Sequence, residues 1–210
     1  KMNPEDHADK MSKRFDRKIL GVSIDVSQRK DVENLKKVCI DNFGRIDGLV
    51  NCHQNKTAKF FAKFEEYTDE DWDAVVETNL KGTYLTCQII GSYMAEKGSG
   101  SIVNMPSTYS VVAPNQNLYA GTTLGCPAAY SASKGGVMAL SQYLSTYWAD
   151  KGVRVNQITP HGVWNNHEEK FEENFSRFSP MKRMSYNHEV ANALIFLLSD
   201  ASSYVTGDNI

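Results

Sequence analysis

The chain has 210 residues, of which 41% are hydrophobic and 23% charged, a composition typical of one globular domain. Its formal net charge is -2 and no basic patch is visible, so we expect neither nucleic acid nor a membrane surface as a partner. No stretch is apolar for the length of a membrane span, and no signal-peptide pattern opens the sequence.

The four cysteines show neither a CxxC pair nor zinc-ligand spacing, and each has mostly apolar neighbours; they are Cys39, Cys52, Cys87 and Cys126. This pattern favours reduced, packed thiols in a cytoplasmic protein. We predict no metal site.

The first half of the chain alternates helix and strand patterns. A polar helix over about 5–16 precedes a predicted strand that ends near Val26. A second helix follows from residue 29, with apolar residues at helical spacing and Gly44 as its stop. A short apolar strand at 46–52 has the composition of a strand buried on both faces.

A long helix opens the middle of the chain, and the alternation then continues. Thr68 is its predicted N-cap, and acidic residues occupy its first turn. We expect five apolar side chains of this helix to face inward: Trp72, Val76, Tyr84, Cys87 and Met94. The other predicted elements are a strand at 100–105, a loop over 106–127, a helix over about 129–150, a strand at 153–159 and a last helix over 187–200.

This order of elements predicts the fold class. Strands that alternate with helices imply parallel βαβ units, hence an α/β protein with a doubly wound parallel sheet. Ligands of such sheets bind at the carboxyl ends of the strands. The unusual residues cluster there: Asp25, Asn51–Gln54, Ser107 and Pro160–Trp164.

Tyr130 and Lys134 are four residues apart at the start of the helix near 129–150, so they share one helix face. A lysine ammonium beside a phenol favours the phenolate, and we therefore expect a lowered pKa for Tyr130. Such a tyrosine exchanges a proton with a carbonyl or alcohol oxygen. Ser107 could hydrogen-bond the same oxygen. The alternative is that the pair forms only the first turn of a core helix.

The residues around this pair favour a ligand site. Ser131–Ser133 and Gly135–Gly136 are small and poor helix formers, which suits the close approach of a large molecule. The segment "YSASKGG" resembles the active-site signature of the short-chain dehydrogenase/reductase family. Further motifs of that family follow its order: "DV" at 25–26, "DGLVN" at 47–51, "NLKG" at 79–82, "SIVNMPS" at 101–107, "VRVNQITP" at 153–160 and "SDASSYVTG" at 199–207.

The resemblance implies a Rossmann-like domain over 1–210 that transfers a hydride between NAD or NADP and a small alcohol or carbonyl substrate. Tyr130 would be the general acid/base, Lys134 would lower its pKa and hold the nicotinamide ribose, Ser107 would orient the substrate, and Asn79 would support a proton-relay water. The implied cofactor contacts are Tyr130 and Lys134 together with Asp25, Val26, Asn51, Cys52, Pro160 and Val163.

The spacing from Ser107 to Tyr130 is longer than the family's usual spacing. A similar insertion occurs in bacterial members linked to flagellin and surface-sugar modification, and we expect such a relation. A lid that bears Asn, Gln and Tyr fits a hydroxylated substrate, although most loops are polar in any case.

The sequence departs from the family pattern on the cofactor side. The expected glycine-rich turn and its two flanking strands are absent, and the last strand is barely begun. We therefore expect a domain incomplete at both ends, in which the strand ending near Val26 has no neighbour. Residues that are small in the family are here His53, Gln54 and His161, which add bulk near the cofactor. The two histidines could face one cleft, which keeps a metal or anion site open.

Two functional readings follow. The Ser107, Tyr130, Lys134 and Asn79 set favours an oxidoreductase, whereas the altered cofactor side favours a non-catalytic or cofactor-impaired relative that serves binding or assembly. We expect a homodimer or homotetramer, because members of the family pair their two long helices.

Overall fold

A computed structural model describes residues 3–210 of the chain. The sheet has three parallel strands in the order β1-β2-β3, namely β1 Gly48–Asn51, β2 Gly100–Asn104 and β3 Val153–Gln157. The register aligns their carboxyl ends, because Asn51 is opposite Asn104 and Asn104 is opposite Gln157. The chain end at 207–210 runs beside β3, where the Ile210 N–H donates to the Gln157 carbonyl at 3.1 Å.

Helices flank this sheet, and most of them lie where the sequence predicts them. One long helix over 69–97 consists of three α-helical segments joined by the π-helical turns Glu77–Lys81 and Cys87–Gly91. The α-helices are α1 Pro4–Phe15, α2 Arg29–Phe43, α3 Asp69–Val76, α4 Gly82–Thr86, α5 Ser92–Lys97, α6 Ala128–Tyr147, α7 Glu169–Phe178 and α8 Asn187–Leu198.

Both faces of the sheet are covered, which confirms the predicted doubly wound α/β class. Successive side chains of β2 point to opposite faces. Ile102 belongs to the main core with residues of α2, α6 and the long helix, whereas Val103 packs with Leu197 of α8. Burial of these apolar side chains supplies the main favourable free energy of folding, about 25 cal/mol per Å² of apolar surface.

The helix boundaries follow from local chemistry. The Asn3 side chain caps α1 at the Glu5 N–H, and Pro4 occupies a first-turn position that needs no amide hydrogen. Gly44 ends α2 in the left-handed conformation, with φ of 76°. The Thr68 hydroxyl caps α3 at the Asp71 N–H, as predicted. The sequence analysis missed α7, whose first turn has no side-chain cap at Glu168.

The predicted strand ending near Val26 is wrong, because residues 18–26 belong to no strand among the described residues. The segment meets other partners instead of a neighbouring strand. The Ser12 side chain accepts from the Ile19 N–H at 3.0 Å, and the Asp31 carboxylate accepts from the Asp25 N–H at 2.8 Å. A β-strand needs a ladder partner, and here side chains of the flanking helices take that place.

Of the five side chains expected to face inward from the long helix, Cys87 and Met94 are buried as predicted and Val76 is half-buried, whereas the prediction is wrong for Trp72 and Tyr84, which are 39% and 42% exposed. For Tyr84 the reason is the π-helical turn Glu77–Lys81, which adds a residue to the helical repeat, so that a face extrapolated at 3.6 residues per turn drifts after it. Trp72 precedes this turn, on the first turns of α3. In residues 3–210, no helix is both long enough and apolar enough to cross a bilayer.

Gly152 gives a test of the turn that leads into β3. It adopts φ of +71°, and a Cβ there would lie 2.2 Å from the Gly98 carbonyl oxygen. We expect Gly152→Ala to lower the free energy of unfolding by about 3 kcal/mol, through left-handed strain plus the clash. The measurement is urea denaturation, read from the midpoint at unchanged slope.

Gly98→Ala is the matched control, because Gly98 has φ of +74° but nothing within 4 Å of an added Cβ. Strain alone predicts a loss of about 1 kcal/mol there. Equal losses in the two variants would contradict the close approach of the two turns.

Candidate active site

A buried amide network organises the carboxyl edge of the sheet. The Asn51 side chain donates to Asn104 Oδ1 at 2.8 Å and accepts from the Thr86 hydroxyl at 2.8 Å. Asn104 in turn donates to the Ser141 hydroxyl of α6 at 2.8 Å. These buried polar groups are satisfied within the protein, so the network fixes the long helix and α6 against the strand ends. The Asn51 side chain therefore lies in this network and not in the cleft.

Lys134 makes the second link between α6 and the sheet edge. Its side chain is buried, and Nζ donates to the Met105 carbonyl, directly after β2, at 2.7 Å. Nζ also lies 5.9 Å from the centre of the Tyr130 ring. The predicted pair thus shares one helix face, with Tyr130 in edge-to-face contact with Phe60 at 6.1 Å between ring centres.

The expected lowering of the pKa of Tyr130 is wrong for this structure. Burial raises the pKa of Tyr130, since an apolar surrounding disfavours the charged phenolate. A hydrogen bond with the Ser107 side chain opposes that shift. Ser107 is itself buried and begins the turn that follows β2. The structure thus brings Ser107, Tyr130 and Lys134 together, with Ser107 rather than Lys134 as the neighbour that favours the phenolate.

Burial acts on the lysine as well. It lowers the pKa of Lys134 to about 8, because removal from water disfavours the ammonium. Lys134 remains mostly protonated at pH 7 and loses its proton in the mildly alkaline range. A buried ammonium with a lowered pKa at a strand end is typical of a functional site, although ion-pair networks also produce such shifts.

Asn79 lies behind the pair, in the π-helical turn Glu77–Lys81. Its Oδ1 accepts from the Asn55 N–H at 3.0 Å, and its Nδ2 donates to the Ser133 hydroxyl at 3.2 Å. The Ser133 hydroxyl donates to the Tyr130 carbonyl at 3.0 Å. Asn79 therefore joins the loop after β1 to the first turn of α6. The sequence analysis missed Asn55, which no motif marks.

A cleft of about 730 Å³ opens in front of Tyr130 and Lys134. Of the predicted cofactor contacts, it is lined by Cys52, Tyr130, Lys134, Pro160 and Val163. Cys52 is exposed, which corrects the expectation that all four thiols are packed. Gln54 and His161, which the sequence analysis placed near the cofactor, also line the cleft, and the rest of its lining was not predicted: Lys56, Phe60, Phe61, Met105, Pro106, Tyr109, Tyr119, Leu124, Gly125, Pro127, Asn165, His167, Phe171 and Asn187.

Asp25 and Val26 lie outside the cleft lining. The Asp25 carboxylate accepts from the Ser27 N–H at 2.9 Å and the Ser27 hydroxyl at 2.7 Å. These hydrogen bonds lower the pKa of Asp25. Val26 packs toward the long helix, where a Cβ on Gly82 would lie 2.7 Å from Val26 Cγ2. The structure therefore groups neither residue with Tyr130 and Lys134.

The two histidines on the cofactor side have different surroundings. His53 Nε2 lies 3.3 Å from the Thr83 hydroxyl, so its ring turns toward the long helix and away from the cleft. His161 lines the cleft and packs on Phe175, with 4.4 Å between ring centres. No group of three or more His, Cys, Asp or Glu side chains that could hold a metal ion occurs within residues 3–210.

The cleft residues fit the nicotinamide and ribose part of a dinucleotide. Lys134 offers a buried cationic donor beside Tyr130, and the cleft lining includes no carboxylate among the described residues. An anionic ligand therefore meets no like charge at this surface. The bulk expected from His53 is directed out of the cleft, whereas Gln54 and His161 remain in its wall.

The sequence of the chain is similar to a protein-family model and to several known proteins. A family model described as enoyl-(acyl carrier protein) reductase matches residues 1–210. The D-threitol dehydrogenase of Mycolicibacterium smegmatis is 35% identical over 198 residues, which cover 90% of this chain and 70% of that protein. The NAD-dependent glycerol dehydrogenase of Listeria innocua is 32% identical over 196 residues, covering 91% and 72% of the two chains.

A solved structure gives the same result. The short-chain dehydrogenase from Leptospira borgpetersenii with bound NAD+ superposes with a TM-score of 0.82 at 32% identity, covering 90% of this chain and 72% of that chain. The expected relation to members linked to flagellin and surface-sugar modification has no support among these relatives.

His53 generates a prediction about acid stability. Burial, with a contribution from Lys134, lowers the pKa of His53 to about 4 from the ordinary 6.5. Between pH 6.5 and pH 4 the His53 ring is protonated in the unfolded chain but stays neutral in the folded chain. The free energy of unfolding therefore decreases as pH falls from 6.5 toward 4. We expect His53→Gln to remove as much as about 3 kcal/mol of this loss.

The measurement is the free energy of unfolding in urea at several values between pH 7 and pH 4. The matched control is His188→Gln, which replaces a histidine at an exposed position of α8. Equal flattening of the pH dependence in both variants would contradict a specific role of the buried His53 ring.

Proposed function

The chain belongs to the short-chain dehydrogenase/reductase family and is an NAD- or NADP-dependent oxidoreductase of alcohols and carbonyls, and we propose that Tyr130 carries its proton chemistry. Lys134 and the cleft residues around it would hold the nicotinamide, which would supply the hydride acceptor or donor when bound. The single observation that supports the assignment is the convergence of Tyr130 and Lys134 on one cleft at the carboxyl ends of the strands, with the buried Ser107 side chain hydrogen-bonded to Tyr130.

Each residue has a defined part in the proposed reaction. In alcohol oxidation the Tyr130 phenolate takes the hydroxyl proton as the hydride leaves the same carbon. In carbonyl reduction the phenol donates its proton to the oxygen. The Ser107 hydroxyl hydrogen-bonds that oxygen and orients it, and Lys134 holds the nicotinamide ribose beside the phenol. Asn79 is a positioning residue, since its side chain acts through Asn55 and Ser133.

Cofactor contacts complete the proposal. Cys52, Pro160 and Val163 line the cleft next to Lys134 and would flank the nicotinamide. On the adenosine side of the cofactor, contacts come from the backbone atoms or from the shape of the surface at Asp25, Val26 and Asn51. The side chains of these three residues are directed elsewhere. The alternative of a non-catalytic relative is not supported, because the similar proteins are named as dehydrogenases.

The proposal extends to assembly and location. We propose that residues 1–210 belong to one domain that forms a homodimer or homotetramer through its two long helices. Exposed aromatic side chains on those helices support it: Trp72, Tyr84, Tyr143 and Tyr147. The location of the protein in the cytoplasm stays a prediction from the sequence.

Tyr130→Phe is the direct test of the proton role. The ring keeps its contact with Phe60, so the fold and the cleft are retained. We expect turnover to fall by at least about a hundredfold while NADH or NADPH still binds. The measurements are the absorbance of the reduced cofactor during turnover and its fluorescence on binding.

Tyr143→Phe is the matched control, because Tyr143 lies on the same helix and is 61% exposed. It should leave turnover unchanged. Retention of turnover within tenfold in Tyr130→Phe would overturn the assignment of the general acid/base.

Ser107→Ala tests the effect of the Ser107 hydroxyl on the pKa of the Tyr130 phenol. Ser107 opposes the burial that raises the pKa of Tyr130, so its removal raises that pKa further. Alcohol oxidation requires the phenolate, and the alkaline rise of kcat/KM should therefore shift to higher pH, with a loss of about a hundredfold near neutrality. The control is Ser110→Ala, which removes the hydroxyl that accepts from the Ser107 N–H. An unshifted profile in Ser107→Ala would contradict the tuning.

A further inference from the structure

The segment between Ser107 and Tyr130 forms a roof over the cleft, and its polar residues face away from it. Asn115, Gln116 and Asn117 are exposed and lie outside the cleft lining. The roof residues that line the cleft are Tyr109, Tyr119, Leu124, Gly125 and Pro127. Of the Asn, Gln and Tyr side chains on which the predicted fit to a hydroxylated substrate rested, only the tyrosines Tyr109 and Tyr119 line the cleft, whereas the amide side chains are exposed.

The two roof tyrosines add ring surface rather than free hydroxyls. The Tyr109 and Tyr119 hydroxyls hydrogen-bond each other. The Tyr119 ring stacks on Phe171 of α7, with 5.6 Å between ring centres and 22° between ring planes. His167 packs on the same Phe171 ring at 5.3 Å. One wall of the cleft is thus a continuous set of aromatic rings.

A second set of rings lines the cleft near Tyr130. Phe60 lies edge-to-face with Tyr130 and, at 5.1 Å between ring centres, with Phe61. The roof touches this second set directly, because a Cβ on Gly125 would lie 3.2 Å from the Phe61 carbonyl oxygen. Tyr130, whose phenol exchanges the proton, lines the same cleft as Phe61 and the Tyr119–Phe171 stack, and we call the space that these rings line the passage.

Hydrogen bonds hold the roof in place over this passage. The Asn174 side chain of α7 donates to the Leu118 carbonyl at 3.2 Å and the Ala120 carbonyl at 3.0 Å. Below them Leu118 packs with Phe175 and Met184 in a small buried core. The ring-lined surface is therefore a formed pocket wall and not a collapsed loop.

The roof differs from the wall that a small polyol needs. A buried hydroxyl without a partner costs about 1–3 kcal/mol, so a wall that binds a polyol must present several free polar groups. The Tyr109 and Tyr119 hydroxyls of the roof hydrogen-bond each other, and the other polar side chains of the cleft come from segments outside the roof, among them Gln54, Lys56, His161, Asn165, His167 and Asn187. Flat apolar surfaces bind aromatic bodies through area burial and ring–ring contacts.

We propose that the substrate is a ketone or secondary alcohol attached to an aromatic ring or a similarly flat apolar body, with that body between Phe61 and the Tyr119–Phe171 stack. The inference rests on the proposed function, because it requires the reacting oxygen at Tyr130. It distinguishes this chain from its similar relatives, two of which are named for D-threitol and glycerol.

The test compares 1-phenylethanol with D-threitol and glycerol as substrates of the full chain, with NAD and with NADP. We expect kcat/KM for 1-phenylethanol to be at least about tenfold higher than for either polyol. A polyol oxidised as well as or better than 1-phenylethanol would overturn the inference and leave the proposed function intact.

A binding measurement distinguishes failure of the substrate proposal from failure of the proposed function. Saturation-transfer NMR with acetophenone and the reduced cofactor should show contact with the phenyl protons. Cofactor binding without contact to acetophenone would overturn the substrate class alone. Failure of both cofactors to bind would count against the proposed function instead.

Phe61→Ala tests the passage itself. We expect the ratio of kcat/KM for 1-phenylethanol over glycerol to fall about tenfold, because the phenyl group loses one of its ring contacts. The matched control is Phe64→Ala, since Phe64 is 74% exposed and lies outside the cleft. It should leave the ratio unchanged. An unchanged ratio in Phe61→Ala would contradict the proposed position of the substrate body.

Discussion

The site depends on how the carboxyl end of β2 is joined to α6. Asn104, the last residue of β2, donates to the Ser141 hydroxyl, and the next carbonyl, that of Met105, accepts from Lys134 Nζ. Because these groups are buried, a shift of the helix would leave unpaired polar atoms, at about 1–3 kcal/mol each. Two such links on one helix face fix both its position and its rotation. Tyr130, one turn before Lys134, is thereby placed at the strand ends where ligands of doubly wound sheets bind.

The same burial sets the electrostatics of the cleft. It disfavours charge on the phenol and on the ammonium alike, raising the pKa of Tyr130 and lowering the pKa of Lys134 to about 8. Ser107 is the local group that works against this effect at the phenol. Proton transfer and hydride transfer to a carbonyl both benefit from such a partly dry site, since fixed dipoles act more strongly there than in water. The aromatic roof extends that environment over the substrate side.

The sequence predicted the parts of this molecule that depend on near neighbours. The shared face of Tyr130 and Lys134, the Gly44 stop and the Thr68 cap all follow from residues within one or two helical turns. Contacts between distant segments were not predictable: the partners of Asn51 lie 35 to 53 residues away, and Tyr119 of the roof stacks on Phe171 of α7. The direction of the Tyr130 pKa shift was missed for the same reason, because burial depends on Phe60 and the roof, not on the helix alone.

Isotope transfer tests the central claim most directly, because it follows the reacting hydrogen itself. The full chain would be incubated with an aromatic ketone and with NADH or NADPH that carries deuterium at the transferred position of the nicotinamide. The account predicts an alcohol with one deuterium on the carbinol carbon, formed by the parent chain and strongly diminished in Tyr130→Phe. An alcohol without deuterium, or equal product from both chains, would contradict it.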